Sequence, residues 1–262
     1  MQDYKIGMVI PIYQTSFIRN TVKTILKENH HPDLVICIVN DGQKAVENYL
    51  AKFKWDERVH ILNLPENRCF AGANNAGWRY LVEQFPSIEF LGTINDDTTP
   101  RKNWLTELHQ ALVRHPKTAL AAPTMETWEG FFRTFEDSAV YNYQDAVVTM
   151  IKLKNTIDRD TFVPVVGGFC FLGRREALEQ VEFFDEGYRN SCEDVDLCLK
   201  LLTADWRLVA APASRVYHFA GKSRYMKGTS TNGDLSHNLL EKKWGFDLRK
   251  FNQIDEEGFF VK

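Results

Sequence analysis

Short apolar runs alternate with segments of helical spacing through the first hundred residues. Ile6 to Ile12 is apolar almost throughout and is followed by the polar stretch Gln14 to Ser16. Such a run reads as a strand covered on both faces. Phe17, Ile18, Val22, Ile25 and Leu26 then recur at the three- and four-residue intervals of a helix. Leu34 to Val39 predicts a second buried strand, closed by the turn Asn40-Asp41-Gly42. A helix over 43–53 and a strand over 59–62 follow. Asn67 to Ala73 reads as a loop, Asn74 to Phe85 as a helix, and Ile88 to Ile94 as a strand running into Asn95-Asp96-Asp97. Alternation of this kind predicts a single α/β domain with a mostly parallel, open sheet flanked by helices. Open sheets of this class bind ligands at the carboxyl edge of their strands, where these polar residues fall.

The second half is less regular. Its pattern predicts a helix over 100–115, a strand over 118–122, an irregular aromatic-rich insertion over 124–160, and a strand over 162–172 around Gly167-Gly168. A short helix over 174–181, a helix over 193–202 and a strand over 207–211 complete it. From Gly221 to Gly233 the chain turns to Gly, Ser, Thr and Lys, the composition of a mobile loop. No internal repeat or linker divides the 262 residues.

Composition narrows the function classes. Hydrophobic residues make up 44% and charged residues 26%, ordinary for a globular domain, and the net charge of −3 disfavours a nonspecific nucleic-acid binder. The five cysteines, Cys37, Cys69, Cys170, Cys192 and Cys198, form no CxxC pair. That usage and the absence of a leader or an 18-residue apolar span lead us to expect a cytoplasmic protein, peripheral to a membrane at most.

Four clusters and one histidine carry candidate chemistry. Carboxylates at a strand end, as in Asn95-Asp96-Asp97, suit a divalent cation bridging phosphate oxygens, although Asn and Asp also make ordinary turns. In Asn40-Asp41-Gly42 a carboxylate can accept from a base or ribose, and Gly42 permits a tight turn. The segment Asn67-Arg68-Cys69-Phe70-Ala71-Gly72-Ala73-Asn74-Asn75-Ala76-Gly77 lets backbone approach a ligand, but no Lys-Ser or Lys-Thr follows to make a P-loop. Glu193-Asp194 opens a helix, where Ser191 and Asp194 also resemble a capping box. His218 precedes the Gly221–Gly233 segment.

Taken in order, Pro11-Ile12-Tyr13, Asn40-Asp41-Gly42, the Asn67–Gly77 segment, Asn95–Asp97, Gly167-Gly168, Glu193-Asp194 and His218 resemble the family 2 glycosyltransferases of the GT-A fold, over about residues 5–223. The resemblance implies one glycosyltransferase domain over 1–262. About 1–122 would be the nucleotide-sugar-binding half, about 123–223 the acceptor-binding and catalytic half, and 224–262 a C-terminal loop and helix. It implies an inverting enzyme with Mn²⁺ or Mg²⁺ as cofactor. Its partners would be a UDP-, dTDP- or GDP-linked sugar and a glycan or lipid-linked acceptor in surface polysaccharide or glycan synthesis. Pro11, Tyr13, Asp41, Asn67, Gly72, Asn75 and Asp96 would hold the nucleotide sugar, and Gly168, Phe169 and Glu193 the acceptor. Asp97 and His218 would ligate the metal, and Asp194 would be the catalytic base.

Two departures stand out. Asn95 replaces the first carboxylate of the family's DxD motif, and Ala73-Asn74-Asn75 replaces its Ala-Arg-Asn. Both are shared with the branch that resembles rhamnosyl- and related hexosyltransferases. A sugar-phosphate nucleotidyltransferase is the alternative enzyme class, but it is expected to carry a Gly-rich basic loop after the first strand, which Pro11 to Phe17 is not. A noncatalytic carbohydrate-binding protein would account for the 13% aromatic content but not for carboxylates gathered at one edge.

Overall fold

The computed structural model describes residues 3–13, 17–28, 31–52, 55–129, 132–136, 139–144, 147–152, 158–219, 233–245 and 254–259. Strand β1 (Ile6–Ile12), helix α1 (Ile18–Glu28), β2 (Leu34–Asn40), α2 (Lys44–Leu50), β3 (Val59–Asn63), α3 (Cys69–Gln84) and β4 (Phe90–Ile94) make the first half. Then come β5 (Thr98–Pro100), α4 (Trp104–Arg114), β6 (Thr118–Glu129), β7 (Phe132–Glu136), β8 (Ala139–Gln144) and β9 (Val147–Lys152). The chain continues through β10 (Thr161–Phe162), β11 (Cys170–Arg174), α5 (Arg175–Gln180), α6 (Glu193–Thr203), β12 (Arg207–His218) and α7 (Gly233–Trp244).

The main sheet runs β10-β12-β6-β11-β4-β1-β2-β3, with β5 added on β12 and β7 on β6. β4, β1, β2 and β3 are parallel, as the apolar runs predict. Antiparallel pairs enter with the second half, where β11 lies between β4 and β6. β12 then pairs parallel with β6, so its end at His218 reaches the edge where β1, β2 and β4 end.

Side chains of β1 and β2 alternate between two cores. Val9, Val35, Cys37 and Val39 face α3, α5 and α6. Met8, Ile10, Leu34, Ile36 and Ile38 face α1, α2 and α4. Burial on both faces explains the unbroken apolar runs, and each such side chain contributes about 1.5–3 kcal/mol by leaving water. Gly77 lets α3 lie close on the sheet: a Cβ there would stand 2.7 Å from Val9 Cγ2 and 2.8 Å from Val39 Cγ2.

The structure corrects several expectations. The expected 162–172 strand is β10 and β11, with residues 163–169 between them outside any strand, and the expected 207–211 strand runs on to His218. α3 begins at Cys69, so most of the expected 67–73 loop is helix; Gly72 and two asparagines lower its helix propensity, and packing of Ala71, Ala73 and Trp78 overrides that. Residues 98–100 form an edge strand, and α4 starts only at Trp104 after left-handed Asn103. The 124–160 stretch is not irregular throughout: β6 extends to Glu129, β7 pairs back on it, and β8 and β9 form a separate antiparallel pair. The expected loop at Gly221–Gly233 lies outside the described residues except for Gly233, which opens α7. Among the described residues no helix is long and apolar enough to cross a membrane.

Candidate active site

The sheet delivers three groups of polar residues to one edge. The first lies at the ends of β4 and β12. His218 Nε2 stands 3.1 Å from Asp97 Oδ1 and 3.3 Å from Asn95 Nδ2. The imidazole stacks on Phe169, with ring centroids 5.2 Å apart and planes at 17°. Backbone bonds fix this group: Asn95 N–H donates to Phe169 O and Phe219 N–H to Asp97 O. Thr21 on α1 also donates its hydroxyl to the carbonyls of Asp96 and Thr98. Asp97 is 2% exposed. Burial, and then the neighbouring Asp97 charge, push the Asp96 carboxyl up to about 7.

The second group joins α6 to the turn before β11. Asp194 Oδ2 accepts the Gly168 N–H at 2.8 Å, and Oδ1 accepts the Val195 N–H at 2.9 Å. The capping box suggested by Ser191 and Asp194 does not form. The residue before α6 is Cys192, in the left-handed region at φ 67°, and its own side chain makes no capping hydrogen bond. Asp194 instead ties the helix to the Gly168 turn, where a Cβ would come within 3.2 Å of Asp194 Cβ. Gly168 and Phe169 are consecutive, so one dipeptide touches the carboxylate of Asp194 on one side and His218 on the other.

The third group lies at the end of β2. Asp41, 5% exposed, accepts the Arg68 N–H at 2.6 Å, and burial raises its carboxyl against the pull of the Arg68 and Cys69 N–H groups. Gly42 supplies the turn at φ 77°, and a Cβ there would overlap the Glu66 and Asn67 backbone. Asn67 accepts the Cys69 N–H at 3.1 Å and so shapes the start of α3. The Cys69 thiol is raised by burial first and then by Asp41; Arg189 opposes this and Glu193 adds to it.

The remaining expected residues divide. Pro11 lies in β1 opposite Val39, and Tyr13, just past the strand, is 37% exposed at the same edge. Gly72 and Asn75 are inside α3 and point toward Glu186. A Cβ on Gly72 would meet Arg68 Cβ at 2.6 Å. The Asn75 amide bonds the Phe184 backbone at 3.0 and 3.1 Å and Glu186 Oε1 at 2.9 Å. Glu186 also pairs with Arg68 and Arg79.

Residues outside the sequence reading hold the site in place. Fully buried Asp196 accepts from Tyr188 Oη at 3.2 Å, Trp244 Nε1 at 2.8 Å and Lys243 Nζ at 2.9 Å, which docks α7 on α6. Its main partners are 47 and 48 residues away, so no local pattern marks it. Thr21 and Glu186 likewise act over 75 and 111 residues.

Residues 8–182 match the sequence profile described as Glycosyl transferase family 2. The chain belongs to this family. The matched stretch includes Asp41, Asn95–Asp97 and Gly168 and ends before Asp194 and His218, which are joined to it by the contacts above. Among curated relatives, the family 2 chain is 34% identical over 104 residues to "Rhamnosyltransferase WbbL" of Escherichia coli strain K12, covering 38% of this chain and 39% of that protein. It is 28% identical over 169 residues to "Pre-mycofactocin glycosyltransferase" of Mycobacterium tuberculosis, covering 61% and 32%. These alignments span well under half the length of either relative. Among solved structures, GalNAc-T7 with UDP, GalNAc and Mn²⁺ superposes with a TM-score of 0.73 at 15% identity, covering 94% of this chain and 49% of that one. Staphylococcus aureus TarS 1–349 with UDP-GlcNAc gives 0.61 at 13% identity, covering 87% and 62%. These likenesses establish the GT-A fold.

Proposed function

We propose that this chain is a metal-dependent, inverting glycosyltransferase that moves a sugar from a nucleoside diphosphate sugar to an acceptor hydroxyl. The observation that carries the reading is the Gly168-Phe169 dipeptide, which sets the Asp194 carboxylate beside the Asp97–His218 pair at the edge where Asp41 lies. In support, the named neighbours include structures with UDP and with UDP-GlcNAc.

A divalent ion fits the pair. Asp97 and His218 are a hard carboxylate and a ring nitrogen held 3.1 Å apart, so the two would together hold a divalent ion. No group of three or more His, Cys, Asp or Glu residues suited to a metal occurs among the described residues. A site with two protein ligands leaves the other positions to phosphate oxygens and water, as nucleotide-dependent ions do. The ring nitrogen makes Mn²⁺ a better match than Mg²⁺, which prefers oxygen ligands. When bound, the ion neutralises charge on the departing diphosphate, so no protein acid is needed there.

The protein's own part is orientation and proton transfer. Asp41 receives the nucleoside at the end of β2, with Tyr13 exposed at the same edge. Asp194 takes the proton from the acceptor hydroxyl as that oxygen attacks the anomeric carbon from the face opposite the diphosphate. Its two backbone hydrogen bonds and its place at a helix start favour the charged, proton-accepting form at some cost in base strength. Glu193 is the neighbouring carboxylate on the acceptor side.

The test is incubation with UDP-, dTDP- and GDP-sugars in the presence of Mn²⁺, with and without EDTA, measuring released nucleoside diphosphate. Release that requires the metal and is lost in Asp97→Ala supports the proposal. Full turnover in excess EDTA, or no release from any sugar with any acceptor, overturns it.

A further inference from the structure

We infer that Met125 is a positioning residue for the metal site, its thioether accepting the Nδ1–H of His218 so that Nε2 is kept as the lone-pair nitrogen facing Asp97. The inference rests on the reading that Asp97 and His218 together hold Mn²⁺.

The contacts around the imidazole set what each ring nitrogen meets. Binding a metal through Nε2, the nitrogen that faces Asp97 and Asn95, takes that atom's lone pair and leaves the ring proton on Nδ1. Nδ1 lies 3.4 Å from Met125 Sδ. Asp97 Oδ1 is 3.1 Å from the same Nε2. Without an ion an Nε2–H would donate to that carboxylate; with one, the ring proton lies on Nδ1 and both Nε2 and Oδ1 are free to face the cation. The Phe169 ring covers a face of the imidazole, and Met125 sits on β6 paired with Val216 of β12 and Glu136 of β7. Ring orientation is therefore fixed by the sheet.

A metal-bound imidazole ordinarily donates its second N–H to a carboxylate, a carbonyl or water, which raises its basicity. A thioether is a weaker acceptor. His218 is thus oriented but given little extra basicity, and an ion held this way stays loosely bound until a diphosphate adds its oxygens.

The experiment is titration of the full-length chain with Mn²⁺ alone, counting free ion by electron paramagnetic resonance, for wild type, Met125→Leu, Met125→Gln and His218→Ala, with Tm recorded for each. Met125→Leu preserves volume and removes the acceptor. Met125→Gln supplies a stronger acceptor, its amide oxygen. Changes around metal ligands commonly alter affinity by about 10- to 100-fold. For a weak thioether acceptor the expected loss in Met125→Leu is about 3- to 10-fold, with Met125→Gln binding Mn²⁺ more tightly than wild type. Packing alone gives the reverse order, because Leu is a mild replacement for Met while Gln places an amide in a half-buried position. Unchanged affinity in Met125→Leu, or weaker binding in Met125→Gln than in Met125→Leu, overturns the inference. If His218→Ala loses binding while both Met125 variants match wild type, only the role of Met125 fails. If wild type does not bind Mn²⁺, or His218→Ala binds it equally well, the Asp97–His218 site fails and this inference with it.

Discussion

Replacing Asp194 by asparagine keeps the length of the side chain and removes its charge, which separates a catalytic role from a structural one. In the native structure the two carboxylate oxygens accept one backbone N–H each, from Gly168 at 2.8 Å and from Val195 at 2.9 Å. Asparagine offers a single acceptor oxygen, so one of those N–H groups faces an amide NH₂ instead. A hydrogen bond to a charged group is worth about 1.5–3 kcal/mol. Asp194 is only partly buried and water can substitute, so the expected loss is about 1–2 kcal/mol. For a domain of this size that corresponds to a fall in Tm of about 2–8 °C, small enough to leave the protein folded and its donor affinity near wild type. Loss of the base should instead lower transfer by about two to four orders of magnitude. The assay compares initial rates of nucleoside diphosphate release in the presence of acceptor, alongside calorimetric donor affinity and Tm. A variant that retains more than about a tenth of the wild-type rate, a drop well short of that scale, would refute Asp194 as the base and direct attention to Glu193. A parallel fall in donor affinity and rate would refute it too, by showing that the carboxylate mainly holds the Gly168 turn.

Three further outcomes follow from the same contacts. Gly42→Ala forces a Cβ onto a residue at φ 77° and into the Glu66 and Asn67 backbone, so chemical denaturation should show a loss of about 1–3 kcal/mol; an unchanged midpoint would mean that the turn relaxes freely. Lys243→Met strips a cation from fully buried Asp196 but leaves Tyr188 and Trp244 in place. Because Lys243 is itself 32% exposed, the cost should be about 2–3 kcal/mol, below the full penalty for breaking a buried pair, and proteolysis should release α7 first; equal stability would sink the docking role of α7. Arg58 hydrogen-bonds Asp56 and holds its carboxyl at about 2, against an ordinary 3.8. That pair therefore stabilises the fold fully above pH 3.8 and loses its effect as pH falls through about 2. Asp56→Asn should lower Tm at pH 6, and the difference should vanish on acidification; a difference that persists at low pH would contradict the assignment.

Sequence by itself determined the strands that are buried on both faces. β1 has the bounds its apolar run indicates, and β2 runs one residue further, to Asn40, because strands covered on both faces stay apolar almost to the end of the ladder. Ends of strands were legible for the same reason: the change from apolar to polar at Asn40-Asp41 and at Asn95–Asp97 marks the sheet edge, and with it the candidate site. The family itself could also be read from the order of these motifs. Helix α3 was legible only from Asn74 onward, since its first turn carries residues of low propensity and is held by packing on β1 and β2.

Tertiary structure alone decided which polar residues meet. Asp97 and His218 are 121 residues apart, Gly168 and Asp194 are 26 apart, and Asp196 finds Lys243 and Trp244 on a helix that no local pattern connects with α6. Asp194 binds a first-turn N–H of its own helix with one oxygen and the Gly168 N–H with the other, and only the second of these needs the tertiary structure. A periodic apolar pattern records what each segment buries, because burial acts on every residue along the element. Hydrogen bonds between single side chains leave no such repeat, so the partners of Asp194, Asp196 and His218 appear only once the sheet has brought its edges together.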